Sequence, residues 1–231
     1  MSYIVLPASI AKDAMLFVST EETRYYLNGF HLSRQSDCSL HVVSTDGHRM
    51  GMFRVDADNC RWPDGQESVI VRLSSNLQKQ CKAPKRSQFQ SWLRIGTVTG
   101  ACEIVMGATA DDAHDAQGSS IMAGESTSSI VDGVYPNYQS IIPQGMPSPL
   151  MGECYNGRYF ADFAKLSDSG AMQVWSQGIA HPGIVTLPQR PDFLGVIMPM
   201  RNGIDAAFTD AVDWRGAILG INHAVDRAIA A

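Results

Sequence analysis

Apolar and polar positions fall three times into one order along the chain: a short apolar run, a stretch with helical spacing, then several runs of period two. In the first stretch, Ile4-Val5-Leu6-Pro7 reads as a strand ended by proline. Ser9 then caps a helix to about Ser19, with Ile10, Ala14, Met15 and Phe17-Val18 on one side. The densest strand pattern follows, from Arg24 to Val55. Tyr25, Leu27 and Gly29 alternate with Tyr26, Asn28 and Phe30, and His41-Val42-Val43 and Met50-Gly51-Met52-Phe53 add two runs, which predicts three antiparallel strands. Between the last two, Ser44-Thr45-Asp46-Gly47 ends in the Asp-Gly pair that a tight hairpin favours. His48 and Arg49 are therefore fixed just beyond a rigid turn.

After a loop from Asp56 to Gln66, the order begins again with the strand Ser68-Val69-Ile70-Val71 and a helix from about Leu77 to Lys82, ended by Pro84. Strands are expected at Ser91–Gly96 and Ala101–Met106, with a weaker one near Ser128–Ile130, while residues 107–127 have the composition of a mobile loop. The third stretch predicts a strand at Leu150–Tyr155, a helix capped by Asn156 from Gly157 to about Leu166, and strands at Met172–Trp175, Ile184–Leu187 and Leu194–Met198. Only the order of elements repeats, not the residues. One helix over one sheet face in each unit gives an α+β architecture with the helices on a single face. From Asn202 to Ala231 the chain is Ala-rich, with Phe208, Val212, Ile218, Leu219, Ile221, Val225 and Ile229 spaced for one or two amphipathic helices.

Four motifs carry a family resemblance. RYYLNG at 24–29, TDGHR at 45–49, YPNYQSIIP at 135–143 and VIMPMR at 196–201 resemble, in this order, motifs of the bacterial DNA polymerase III beta subunit, the sliding clamp family. The last two are similar to its F-P-D-Y-x-x-x-x-P connection and its C-terminal V-V-M-P-M-R. The resemblance implies the DNA clamp (processivity) fold, with sheets outside and helices on one face. It also implies a division of the chain: residues 1–143 as one complete clamp-like domain of two units, 144–202 as half of the next, and 203–231 as a helical tail. The family's first domain and the first half of its third have no counterpart, which departs from a dimer of three-domain subunits. Three units per chain would close a twelve-unit ring as a tetramer, and a trimer or a non-closing assembly stays open.

Composition narrows the classes. At 231 residues, with 45% hydrophobic and 18% charged residues, the chain is long enough to bury roughly 70% of its unfolded surface. No apolar run of membrane-spanning length occurs, and Met1 to Ser9 is too short and mixed for a signal peptide, so a cytoplasmic location is expected. The five cysteines, Cys38, Cys60, Cys81, Cys102 and Cys154, are scattered without a C-x-x-C pair and suggest neither a disulfide framework nor a zinc site. A net charge of −5 argues against a uniformly basic surface but not against a local basic patch.

In the clamp family, polymerase, clamp loader and repair proteins dock short hydrophobic peptides in a cleft between the second and third domains. Carried onto this chain, the resemblance implies walls from Leu27, Thr45, Gly47, His48, Arg49 and Met50 of the first unit and Pro136 and Ile141 of the connection. The third unit would add Asn156, Tyr159, Val196, Ile197, Met198, Pro199, Met200 and Arg201. Met and aliphatic walls suit a Leu or Phe anchor, while Arg49, Asn156 and His48 would orient the peptide's polar groups. Ser140 stands where the family often has Arg. The family's helices line a channel and meet double-stranded DNA at its phosphates without reading sequence. Here the implied contacts are Lys12 on the first helix, Lys79, Lys82, Lys85 and Arg86 on and after the second, and Arg158 and Lys165 on the third. No catalytic residue, metal site or cofactor is expected. Asp111, Asp112, His114 and Asp115 lie in the stretch read as a loop, and His48 beside Asp46 has no candidate nucleophile or phosphate-binding loop near it. The expected function is a homo-oligomeric clamp-like processivity factor tethering partners to DNA. The second reading is a clamp-derived adaptor or decoy that does not encircle DNA.

Overall fold

The computed structural model describes residues 2–81, 89–145, 148–149, 153–176, 178 and 181–200. The first stretch contains β1 (Tyr3–Pro7), α1 (Ala8–Ala14), β2 (Phe30–Arg34), β3 (Leu40–Thr45) and β4 (Arg49–Val55). The second contains β5 (Ser68–Val71), α2 (Ser75–Gln80), β6 (Gln90–Gly96), β7 (Cys102–Gly107), α3 (Ala110–His114), β8 (Ile121–Glu125) and β9 (Ile130–Val131). The third contains β10 (Ser148–Pro149), α4 (Gly157–Ala164), β11 (Gln173–Ser176), β12 (Gly183–Thr186) and β13 (Phe193–Ile197). Among the described residues these strands make an antiparallel four-stranded sheet, β1-β6-β7-β8, and a nine-stranded one, β10-β11-β12-β13-β4-β3-β2-β5-β9.

The units are not self-contained. Their first strands are exchanged: β1 pairs with β6, and β5 pairs with β2. The third unit extends the sheet of the first through five antiparallel pairs between β13 and β4. The three helices that the pattern predicts all feed one core, through Ile10, Ala11 and Ala14 of α1, Leu77 of α2 and Phe163 of α4.

Four local expectations are corrected. RYYLNG is not a strand; Glu22–Leu27 is a 3-10 helix, and β2 begins only at Phe30. Alternation is the wrong period there, because Leu27 is buried while Tyr25 is 53% exposed. The first helix is shorter than expected and starts at Ala8, after Pro7, with Ser9 exposed inside it. It stops at Ala14 so that the chain can turn and bury Phe17 completely. Residues 107–127 are not a loop. Thr109 and Asp112 form a capping box for α3, whose Ala110 and Ala113, with Ala116, pack on Val5, Trp92 and Val105. That places α3 on the face of the four-stranded sheet opposite the other helices, since Ile4 and Leu6 flank Val5 and point into the main core. Buried Arg94 holds the end of α3, donating to the carbonyls of Ala116 (2.7 Å) and His114 (3.1 Å) while paired with Glu103 at 2.6 Å. Asp111 is paired with Arg61. Finally, β10 precedes the strand expected at Leu150–Tyr155; Leu150, Met151 and Gly152 lie outside the described residues, and Glu153, Cys154 and Tyr155 are in no strand. Residues 201–231, including the predicted tail helices, also lie outside the described residues.

Two glycines make the junction between the first and third units possible. Gly51 of β4 and Gly195 of β13 are direct cross-strand partners. A Cβ at Gly51 would come within 2.5 Å of the Phe17 ring, and one at Gly195 within 2.6 Å of the Phe163 ring. Both rings are fully buried and lie 5.1 Å apart, so neither has room to retreat. Gly51→Ala and Gly195→Ala are each expected to destabilise the fold by about 1–3 kcal/mol through overpacking. Urea unfolding should show a lower midpoint with an unchanged slope; a midpoint equal to the parent's would mean that the rings can move after all.

On the other face of the nine-stranded sheet, the chain after β9 folds back over β2 and β3. There His31 stacks on Tyr135 with centroids 4.9 Å apart and an interplanar angle of 13°. Burial pushes the His31 imidazole down from 6.5 to about 4 and pushes the Tyr135 hydroxyl up. Above pH 6.5 the imidazole is neutral in both folded and unfolded chains. As pH falls below 6.5 the unfolded chain takes up the proton first, so stability is lost by about 1.4 kcal/mol per pH unit until the folded imidazole titrates. His31→Phe should keep the ring contact and flatten stability between pH 6.5 and 4. His41, also lowered by burial, leaves some slope in the same direction. Chemical unfolding at a series of pH values reads the difference, and identical profiles for parent and variant would rule out this role for His31.

Candidate binding cleft

The turn between β3 and β4 fixes one wall of a cleft. Thr45 Oγ1 donates to the carbonyl of Arg49 at 2.7 Å and accepts the Gly47 N–H at 3.0 Å. Asp46 Oδ1 accepts the N–H groups of His48 and Arg49, both at 2.9 Å. Gly47 has φ +89°, so the turn requires glycine there, and the flexible end of the Arg24 side chain lies close by.

Strand alternation builds the floor. Val43, Met50 and Val196, from the adjacent strands β3, β4 and β13, form a small buried cluster on the outer face of the sheet, with Met52 half-buried beside it. Tyr138 covers this cluster from the 3-10 turn Tyr138–Ile141, and Ile141 packs against it. The resulting cleft, about 270 Å³, is lined by Arg24, Tyr26 and Leu27 on one side, Thr45, Gly47 and Arg49 at the hairpin, Pro136, Asn137, Tyr138 and Ile141 above, and Met50, Val196 and Met198 below. Its size and apolar floor suit one or two side-chain anchors better than a drug-sized molecule. Where β13 ends, Met198 donates its N–H to the His48 carbonyl at 2.9 Å and Met200 donates to that of Cys154 at 2.7 Å. Met198 and Met200 are 37% and 40% exposed, so flexible apolar side chains stand at the rim.

Nine of the sequence-predicted residues line this cleft: Leu27, Thr45, Gly47, Arg49, Met50, Pro136, Ile141, Val196 and Met198. His48 and Tyr159 lie beside it, stacked with centroids 5.9 Å apart. Asn156 caps α4, its side chain accepting the Arg158 N–H at 3.1 Å. Pro199 and Met200 follow the rim, while Ile197 is fully buried in the main core because its parity is opposite to that of Val196. Arg201 lies outside the described residues. The sequence reading missed Arg24, Tyr26, Asn137 and Tyr138, although all four belong to the quoted motifs; assigning RYYLNG to a strand hid the first two.

Lys12 on α1, Lys79 on α2, and Arg158 and Lys165 at the two ends of α4 are exposed. Lys165 is paired with Asp162 at 2.5 Å. Lys82, Lys85 and Arg86 lie outside the described residues. Among the described residues no group of three or more His, Cys, Asp or Glu side chains could hold a metal ion, and no helix is long and apolar enough to cross a membrane.

The fold and motifs have counterparts among known proteins. Solved structures similar to this one include a sliding clamp from Bartonella birtlesii, with 22% identity, a TM-score of 0.62, and 86% of this chain and 66% of that one covered. Another is the beta sliding clamp of C. crescentus, with 19% identity and a TM-score of 0.63 over 87% of this chain and 65% of that one. By sequence, the beta sliding clamp of Pseudomonas aeruginosa is 27% identical over 138 residues, covering 59% of this chain and 31% of the relative. That of Rickettsia bellii is 26% identical over 159 residues, covering 67% and 35%. The chain thus spans about a third of the curated relatives it matches. The sequence profile described as DNA polymerase III beta subunit, central domain, matches residues 8–137, more than half of the chain, and the chain therefore belongs to the DNA polymerase III beta subunit family.

Proposed function

We propose that this protein is a non-enzymatic, clamp-like processivity factor that holds duplex DNA without reading its sequence and tethers polymerase, clamp-loader or repair proteins through the cleft floored by β4 and β13. The observation that carries this reading is the cleft itself: an apolar floor drawn from the first and third units, a rigid hairpin wall, and two methionines at the rim. Two buried apolar anchors at about 1.5–3 kcal/mol each, with a few hydrogen bonds, give roughly micromolar affinity for a short peptide. Tethering at that affinity acts by raising a partner's local concentration at the template. Lys12, Lys79, Arg158 and Lys165 would meet phosphates from exposed helix positions. On this reading residues 1–143 form the complete domain and 144–202 the half-domain that completes the cleft. The protein would act in the cytoplasm as a homo-oligomer.

One feature of the sheets favours the second reading, an adaptor or decoy that does not encircle DNA. β8 and β13 hold corresponding places, each ending a run of one first strand and three consecutive ones. β13 continues in register into β4. β8 pairs with no strand on its outer edge among the described residues, and a register shift opposite Ile104 and Val105 leaves Met122 as an extra residue. A bulge on an edge strand discourages the addition of another strand. Ring closure through that edge would have to overcome it.

The cleft is tested with the double substitution Met198→Ala and Met200→Ala. Fluorescence anisotropy with a labelled peptide carrying adjacent Leu and Phe anchors should show at least a tenfold loss of affinity; an unchanged titration would remove the cleft assignment. For DNA, Lys12→Glu with Lys79→Glu should lower the slope of log affinity against log salt by about one for each phosphate that is no longer neutralised. A parent-like slope would exclude these helix faces, and a parent protein that does not bind duplex DNA at low salt would place the adaptor reading first.

A further inference from the structure

Alternation sends Met50 and Met52 of β4 toward the cleft and Gly51 and Phe53 toward the helices. Arg49 shares the parity of Gly51. It borders the cleft, but its guanidinium is engaged on the helix side of the sheet. Nη1 lies 2.8 Å from Asp162 Oδ2, and Nη2 donates to the Leu16 carbonyl at 2.9 Å. The guanidinium carbon sits 4.7 Å from the centroid of the Tyr159 ring. The Arg49 and Asp162 side chains are only 11% and 17% exposed. Tyr159 and Asp162 are one turn apart on α4 and so share a face, and Tyr159 also stacks on His48. One face of α4 therefore grips two consecutive residues at the end of the hairpin.

We propose that Asp162, acting through Arg49, is the positioning residue that sets the shape of the cleft. This rests on the peptide-cleft reading above. The hairpin end supplies Thr45, Gly47 and Met50 to the cleft, and the His48 carbonyl holds the Met198 N–H at the rim. A change in how α4 grips Arg49 is thus carried to Met198 through two residues. Without the Asp162 carboxylate, Arg49 is a nearly buried cation left with the Leu16 carbonyl, the Tyr159 ring and the more distant Asp46 carboxylate at 3.8 Å, and relief of that charge favours a shift of the hairpin toward water. Arg49 is consequently not a free ligand contact, and polar recognition in the cleft falls to other groups. Lys165 also touches Asp162, but its side chain is 59% exposed and its attraction is screened, so it is not a second clasp.

The test combines peptide binding with amide exchange in Asp162→Asn, Arg49→Lys and, as a control, Arg54→Ala, which breaks an exposed ion pair with Asp37 outside the cleft. Lysine keeps the charge but lacks the fork that reaches both Asp162 and Leu16. Expected are at least tenfold weaker binding of the Leu-Phe peptide in the first two variants and less than a twofold change in the third. In the absence of peptide, the Met198 amide should exchange faster in the first two variants while the Val42 and Phe53 amides keep their protection, a pattern that general destabilisation does not give. Parent-like Met198 exchange in both variants would overturn the proposal. Parent-like peptide binding by both, alongside weakened binding by Met198→Ala, would also overturn it and leave the cleft standing. If Met198→Ala itself binds like the parent, the cleft reading fails and the exchange data alone decide the clasp. Should Asp162→Asn not fold, Arg49→Lys decides it.

Discussion

The junction between the first and third units depends on two phenyl rings packed closely against a pair of glycines. Phe17, just past α1, and Phe163, on α4, meet over Gly51 and Gly195, which face each other across β4 and β13. Phe53 and Phe193 complete the cluster, with ring centroids 5.0 Å apart. Residues remote in sequence are thereby joined at a single point, and the sheet of the first unit becomes that of the third. Each buried ring contributes a few kcal/mol only while the others are in place, so the junction forms cooperatively or not at all. A methyl group at 51 or 195 would press on these rings and weaken the contact between the units that the cleft needs together.

Charges at the two ends of this apolar seam set its register. At one end Arg49 reaches Asp162 and Leu16; at the other Arg190 reaches Asp13 of α1 at 3.0 Å and Asp192 at 2.9 Å. Burial outweighs the attraction of Arg190 and holds the Asp13 carboxyl above its usual range, whereas Arg190, bonded first to Asp192, is held more firmly charged. The Asp13 contact is therefore weak as a source of stability. Its value lies in specificity, because any shift of α1 along the sheet would leave a half-buried carboxylate without its partner.

The order of elements was legible in the sequence wherever alternation or helical spacing reported burial. β5, β6, β7, β12 and β13 lie close to where their apolar runs predict, and Asn156 caps α4 as its type suggests. Three features were not legible, each for a physical reason. Small alanines bury little surface per residue, so α3 carried too weak a signal to stand out from a polar loop. The 3-10 segment at Glu22–Leu27 has two adjacent tyrosines that imitate a strand, and only tertiary burial of Leu27 shows otherwise. The exchange of β1 and β5 between units is a matter of pairing, which no single stretch encodes. Within the candidate site, motif resemblance named residues that the fold brings around one cleft but did not give the direction of each side chain. Applying the period of two to Met50 and Val196 would have sent Arg49 and Ile197 to the other face.

That opposition of neighbouring side chains ties the outer surface of the junction to its interior. Val196 and Ile197 are consecutive, one in the cleft floor and the other in the main core, and Arg49 and Met50 divide in the same way. The floor is consequently as rigid as the core behind it, while the rim at Met198 and Met200 is half-exposed and built from unbranched, adaptable side chains. A rigid floor with a soft rim fixes where an apolar anchor must sit but tolerates variation in the residues beside it. That combination follows from one cross-strand pair of glycines that lets the core form directly beneath the cleft.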